Sequence, residues 1–153
     1  MSVKVHGKKF KQAKVNGFIS LDLSRSDITN ISEIEGLDSL SHLQVLNLNG
    51  NKITEIDGLP STLVDLRRLF LANNQITEIA GLDAFPSLRG LRLGGNQIGE
   101  IKGLDKLVNL RALGCSTIKS RTSRGLKSLE TCRYWHYHEI RLLKSRDWTI
   151  LVI

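Results

Sequence analysis

Apolar residues and asparagines recur along this chain in one frame. It reads Leu43-x-x-Leu46-x-Leu48-x-x-Asn51-x-Ile53-x-x-Ile56-x-x-Leu59, then Leu66, Leu69, Leu71, Asn74, Ile76, Ile79 and Leu82, then Leu88, Leu91, Leu93, Asn96, Ile98, Ile101 and Leu104. An upstream turn of the pattern is recognisable in Phe18, Leu21, Leu23, Ile28 and Ile31, with Ser26 at the asparagine position and a length of 25 residues. A fifth starts at Leu110 and Leu113 and holds the frame to Gly125, Leu126 and Leu129. Arg67, Arg89, Arg111 and Arg133 mark the same step, 22 residues from one to the next. Such self-similarity predicts stacked repeats, because a single repeat has nothing against which to bury its apolar side.

The alternation of Leu46 and Leu48, Leu69 and Leu71, and Leu91 and Leu93 predicts short parallel strands with leucines inward and the intervening residues outward. Asn51, Asn74 and Asn96 follow, where the chain leaves the sheet and exposes backbone donors and acceptors that a buried carboxamide can serve from both its ends. The isoleucines and the Gly-Leu pairs at Gly36, Gly58, Gly81, Gly103 and Gly125 return the chain along the convex side. The short spacing of apolar anchors there leaves room for turns or 3₁₀ pieces and none for a long helix. Near the start, Asn16-Gly17 between Lys14-Val15 and Phe18-Ile19 signals a two-residue hairpin. Residues 3–23 are therefore expected to form a β-hairpin whose second strand is the first repeat strand.

The L-x-x-L-x-L-x-x-N-x-L signature resembles the leucine-rich repeat, in particular the 22-residue cytosolic class typified by the regulatory subunit of protein phosphatase 1, over roughly residues 18 to 129. The resemblance implies an α/β-type repeat solenoid with a concave parallel β-sheet and convex 3₁₀ or turn segments, about five repeats plus caps. It also implies a scaffold or regulatory role, such as control of a phosphatase. The expected organisation is an N-terminal cap over residues 1–17, repeats over 18–131, and a degenerate C-terminal repeat or cap over 132–153. In the fifth turn Ile118 replaces the ladder asparagine, and Ser120 and Ser123 replace two buried isoleucines. Beyond it, residues 133–143 fit a short amphipathic helix covering the last layer. The frame can also be continued weakly through Cys132, Trp135, Tyr137, Ile140 and Leu142, or the tail can be read as decayed sequence.

Composition suits one elongated domain: 153 residues, 41% hydrophobic, with only 5% aromatic residues because branched aliphatics fill near-identical layers. No stretch at the start resembles a signal peptide, and no run approaches the ~18 residues of a membrane span. The expectation is a cytoplasmic protein away from the membrane. Cys115 and Cys132 are not placed like the disulfide caps of secreted repeat proteins. The net charge of +7 is uneven: residues 1–18 carry five lysines and no acid, residues 19–105 seven basic and twelve acidic residues, and residues 106–153 ten basic and three acidic. The intact repeats are thus acidic between basic ends. A nucleic-acid binder would gather its positive charge on one face, whereas caps need only a polar exterior.

Catalytic patterns are missing. The spacing of Cys132, His136 and His138 is not that of a zinc site. No Gly-x-Ser-x-Gly or P-loop pattern occurs, and none of the four histidines falls on an intact repeat strand. No enzymatic activity, cofactor or metal is expected. What remains is a surface. The outward concave positions are Ser20, Asp22 and Ser24; Val45, Asn47 and Asn49; Arg68, Phe70 and Ala72; Gly90, Arg92 and Gly94; and Ala112, Gly114 and Ser116. Phe70 has no layer to fill on that side, and aromatics with arginine dominate binding hot spots. Beside it runs the column Arg67, Arg89, Arg111, opposed by an acidic row of Glu33, Glu55, Glu78 and Glu100. The expected function is a monomeric, non-enzymatic protein–protein interaction module. It would hold an unidentified protein through Val45, Asn47, Asn49, Arg68, Phe70 and Arg92, flanked by Arg67, Arg89 and Arg111. The alternative is electrostatic binding of RNA or another anionic surface through the arginine column and the basic ends.

Overall fold

Leu21, Leu46, Leu69, Leu91 and Leu113 stand side by side in one continuous row. The structure is a computed structural model, and it describes residues 1–114 together with the short strands Arg141–Leu142 and Ile150–Leu151. Its strands in chain order are β1 (Ser2–Val5), β2 (Lys8–Lys11), β3 (Ala13–Val15), β4 (Phe18–Asp22), β5 (Val45–Asn47), β6 (Arg68–Phe70), β7 (Gly90–Arg92), β8 (Ala112–Gly114), β9 (Arg141–Leu142) and β10 (Ile150–Leu151). Strands β4 to β8 are parallel neighbours, and β3 pairs antiparallel with β4 at one edge. This is the expected repeat solenoid with a parallel sheet. Arg133, the candidate ligands Cys132, His136 and His138, the fifth repeat beyond Gly114 and the question of the tail all lie outside the described residues.

Behind the sheet the repeats share one apolar core. Leu23, Leu48, Leu71 and Leu93 form a second buried row, and Ile28, Ile53, Ile76 and Ile98 a third. The convex side adds a row that the frame did not mark: Leu40, Leu63, Phe85 and Leu107, each at most 1% exposed. The three extra residues of the first repeat are taken up by a 3₁₀ turn, Ile31–Glu33, closed by a capping box in which Asn30 accepts from Ser32 and Glu33 accepts from the Asn30 amide. Ile31 and Ile34 are both buried as a result. A second 3₁₀ turn, Leu37–Ser39, follows, so the convex side has the turns and short 3₁₀ pieces expected of it.

The single hairpin expected over residues 3–23 is two: β1–β2 stands ahead of the repeats, and β3–β4 ends in the first repeat strand. Asn16 (φ 49°) and Gly17 (φ 83°) connect β3 to β4, both in the left-handed region that a two-residue turn of this type requires. His6 and Gly7 do the same between β1 and β2. Val3 and Val5 of β1 join the core, and the Lys4 and Glu35 backbones exchange hydrogen bonds of 3.0 and 2.9 Å. The first hairpin thereby covers the end of the solenoid.

Gly103 has a steric task besides its φ of +72°: a Cβ there would lie 2.5 Å from the Ile79 carbonyl oxygen of the preceding repeat. At Gly17 the φ is similarly positive but nothing lies within 4 Å. Gly103→Ala is therefore expected to cost about 1–3 kcal/mol and visibly more than Gly17→Ala. Equal shifts of the two melting temperatures would show that the close approach of the repeats at Gly103 does not matter.

Candidate functional site

Period-two alternation sends every second residue of each strand to the concave face, and the parallel register lines them up across the sheet. One row is Ser20, Val45, Arg68, Gly90 and Ala112; the next is Asp22, Asn47, Phe70, Arg92 and Gly114. The candidates Val45, Asn47, Arg68, Phe70 and Arg92 thus share one face. Val45, Asn47 and Phe70 are half-buried, and Asp22, Arg68 and Arg92 are exposed. Phe70 is flanked in register by Asn47 and Arg92, as its position in the frame implies.

The arginines of this face lie over aromatic rings. The Arg92 Cζ is 5.1 Å from the centroid of Phe70 on the neighbouring strand. Arg68 reaches past β5 to place its Cζ 4.7 Å from the centroid of Phe18. Gly90 and Gly114 lie beside the stems: Cβ atoms there would meet the Cγ atoms of Arg68 and Arg92 at 3.6 and 3.4 Å, ordinary van der Waals contact. Stacks of this kind contribute about 0.5–1 kcal/mol each at exposed sites. Phe18 departs from the frame, in which it matches the fully buried Leu43, Leu66 and Leu88. Its hairpin partner Val15 keeps β4 extended back to residue 18, so the alternation puts Phe18 on the same side as Ser20 and Asp22. The readable signal was the Asn16-Gly17 turn.

At the polar end of the face, one Asp22 carboxylate oxygen accepts from the Ser24 amide (2.9 Å), the Ser24 hydroxyl (2.7 Å) and the Asn47 carboxamide (3.1 Å). Partial burial works to raise the Asp22 pKa, but the bonds from the Ser24 hydroxyl and amide and from Asn47 outweigh it, and the net shift is downward. Asn47 in turn accepts from the Asn49 amide at 3.1 Å, and Asn49 accepts from the Ala72 amide at 2.8 Å. Both candidate asparagines therefore help to lock the strand ends. The residue before the ladder position is left-handed in each of the first four repeats, at Arg25 (φ 53°), Gly50 (69°), Asn73 (56°) and Gly95 (73°).

Arg67, Arg89 and Arg111 run along the other edge, tied through their backbones. The Arg67 amide donates to the Gln44 carbonyl (2.9 Å), Arg89 to the Arg67 carbonyl (2.8 Å), and Arg111 to the Arg89 carbonyl (2.9 Å). Arg67 is half-buried, and Arg89 and Arg111 are exposed. Arg67 and Arg89 line a small polar cleft with Asp65, Ser87 and Asn109. Among the described residues the carboxylate pairs are His6–Glu33, His42–Asp65, Lys52–Asp27, Lys102–Glu78 and Lys106–Asp83, and none includes an arginine. Also among the described residues, no cluster of three or more metal-ligating side chains occurs and no helix is long and apolar enough to cross a membrane.

Known proteins place this geometry. The family model for leucine-rich repeats in two copies matches residues 19–61, 41–84 and 64–106. An internalin (InlF) from Listeria monocytogenes is 33% identical, with a TM-score of 0.60, over 74% of this chain and 32% of its own. Internalin C2 from the same organism is also 33% identical, with a TM-score of 0.65, over 73% of this chain and 48% of its own. This chain thus spans about a third and about half of those two proteins. The SNF/U2A′ complex of Drosophila melanogaster contains a chain 26% identical, with a TM-score of 0.65, over 86% of this chain and 80% of its own. No curated protein matches at a significant level. These neighbours bear out the repeat family, and the finer likeness to the phosphatase regulatory subunit is carried by the sequence pattern alone.

Proposed function

The chain belongs to the leucine-rich repeat family, and from that premise we propose that it is a non-enzymatic adaptor or scaffold that holds a protein partner on its concave face. The observation that carries this reading is Phe70, a half-buried aromatic on the outward face of β6 between Asn47 and Arg92. It fills no core layer, and it has the company in which hot-spot residues are found. That one neighbour was solved as a complex, SNF/U2A′, supports the same reading. Five parallel strands at about 4.8 Å give a sheet roughly 20 Å wide, enough for one helix or one loop ridge and for an interface near or below the standard ~1,600 Å².

The test is a comparison of binding by wild type, Phe70→Ala and the convex control Ala80→Ser, using the partner retained from cell extract and then purified. Phe70→Ala is expected to weaken binding by about 2 kcal/mol or more, with a modest effect of salt, while the control is unchanged. A Phe70→Ala variant that binds like wild type would overturn the concave assignment. The second reading, RNA or another anionic polymer, is favoured by the row Arg67, Arg89 and Arg111, which forms no ion pair among the described residues. It predicts a steep fall of affinity with salt and a slope that shrinks when Arg89 and Arg111 are replaced by alanine.

A further inference from the structure

Among the described residues, Arg68 and Arg92 face out from the concave sheet, and Arg67, Arg89 and Arg111 run along one edge of it. The carboxylates nearby are engaged, Asp22 by Ser24 and Asn47, and Asp65 by the His42 ring at 3.0 Å. The lysine–carboxylate pairs lie elsewhere and join one repeat to the next, as in Lys102–Glu78 and Lys106–Asp83. Asp22 and Asp65 do not balance these arginines, so this side carries net positive charge for a ligand, beside the half-buried Val45 and Phe70 on neighbouring strands.

Resting on the concave-face reading above, we propose that the segment recognised is an acidic amphipathic helix lying along the solenoid axis, its apolar side against Phe70 and its carboxylates on Arg67, Arg89 and Arg111. The spacings agree. Equivalent residues on neighbouring strands recur at about 4.8 Å, and side chains at i and i+3 or i+4 of a helix are about 5–6 Å apart. Arginine stems take up the difference. An extended acidic segment presents same-side residues about 6.6–6.8 Å apart and would fall out of step within three positions. A helix of about 14 residues is ~21 Å long, the width of the five parallel strands.

Nucleic acid fits less well. Asp22, in the same row as Phe70, puts a carboxylate where phosphates would pass. The charge complementarity is that of a carboxylate-bearing partner with an apolar stripe.

The test is selection of a displayed library of 16-residue helical peptides against the whole chain, followed by titration of the enriched peptides and of a 20-nucleotide single-stranded RNA. The proposal expects enrichment of Asp and Glu at i, i+3 or i+4 and i+7 beside an apolar stripe. Binding should weaken by about tenfold or more with Arg89→Glu or Arg111→Glu. Both positions are exposed, so the melting temperature should hold; Arg89→Gln should give a smaller loss in the same direction. Enriched peptides without acidic preference that still depend on Phe70 would overturn this proposal while leaving the concave-face reading intact. Peptides indifferent to Phe70 would overturn both. RNA binding tighter than any peptide and lost with the same arginines would overturn it in favour of a nucleic-acid interface.

Discussion

Leu71→Ala is expected to lower the stability of the chain by about 2–5 kcal/mol, the range for truncating a fully buried leucine. Leu71 is 0% exposed and lies between Leu48 and Leu93 in the second buried row. The layers on either side are held in place by their own strands and turns, so they cannot close over the missing atoms, and the cavity term adds to the transfer term. Chemical denaturation of wild type and variant gives the number directly. A loss well under 1 kcal/mol with an unchanged slope would mean that this position does not face the core.

The second large effect belongs to the asparagine ladder. Asn74, 7% exposed, accepts from the Ile53 amide at 3.1 Å and donates to the Leu48 and Leu71 carbonyls, both at 3.0 Å. Asn51 and Asn96 make the corresponding bonds, so Leu48 O also receives Asn51 and Leu71 O also receives Asn96. In Asn74→Ala the two carbonyls would each keep one donor. The Ile53 amide would be orphaned in the interior, which alone costs about 1–3 kcal/mol, and the lost carbonyl bonds bring the expected total to about 2–4 kcal/mol. The proper control is Asn73→Gly: Asn73 is exposed but has φ 56°, and alanine there would add strain of its own. Equal denaturation midpoints for Asn74→Ala and Asn73→Gly would contradict the ladder assignment.

These two positions could be read from the sequence because the repeat states them several times. The strand register, Leu46 with Leu69 with Leu91, follows from the frame, and with it the meeting of Asn47, Phe70 and Arg92 on one face. Features that occur once, or that depend on reach in space, were not legible. The convex row of Leu40, Leu63, Phe85 and Leu107 was obscured because its residue type varies and the step from Leu59 to Leu63 is one residue longer than from Leu82 to Phe85. Phe18 looked like a core residue until the hairpin with β3 fixed its side of the sheet. The Arg68–Phe18 stack crosses an intervening strand, a distance that only the assembled sheet defines. The docking of β1 on Glu35 is likewise a contact between segments with no shared pattern.

The claim that most needs a direct test is that the concave row is where the partner sits. A photoreactive amino acid placed at Phe70 and, separately, at Ala80, which is exposed between the buried Ile79 and Leu82 of the convex return, reports contact without relying on a loss of affinity. With one purified partner, crosslinking from position 70 and none from position 80 is the result expected. Crosslinking from position 80 with none from position 70 would contradict it.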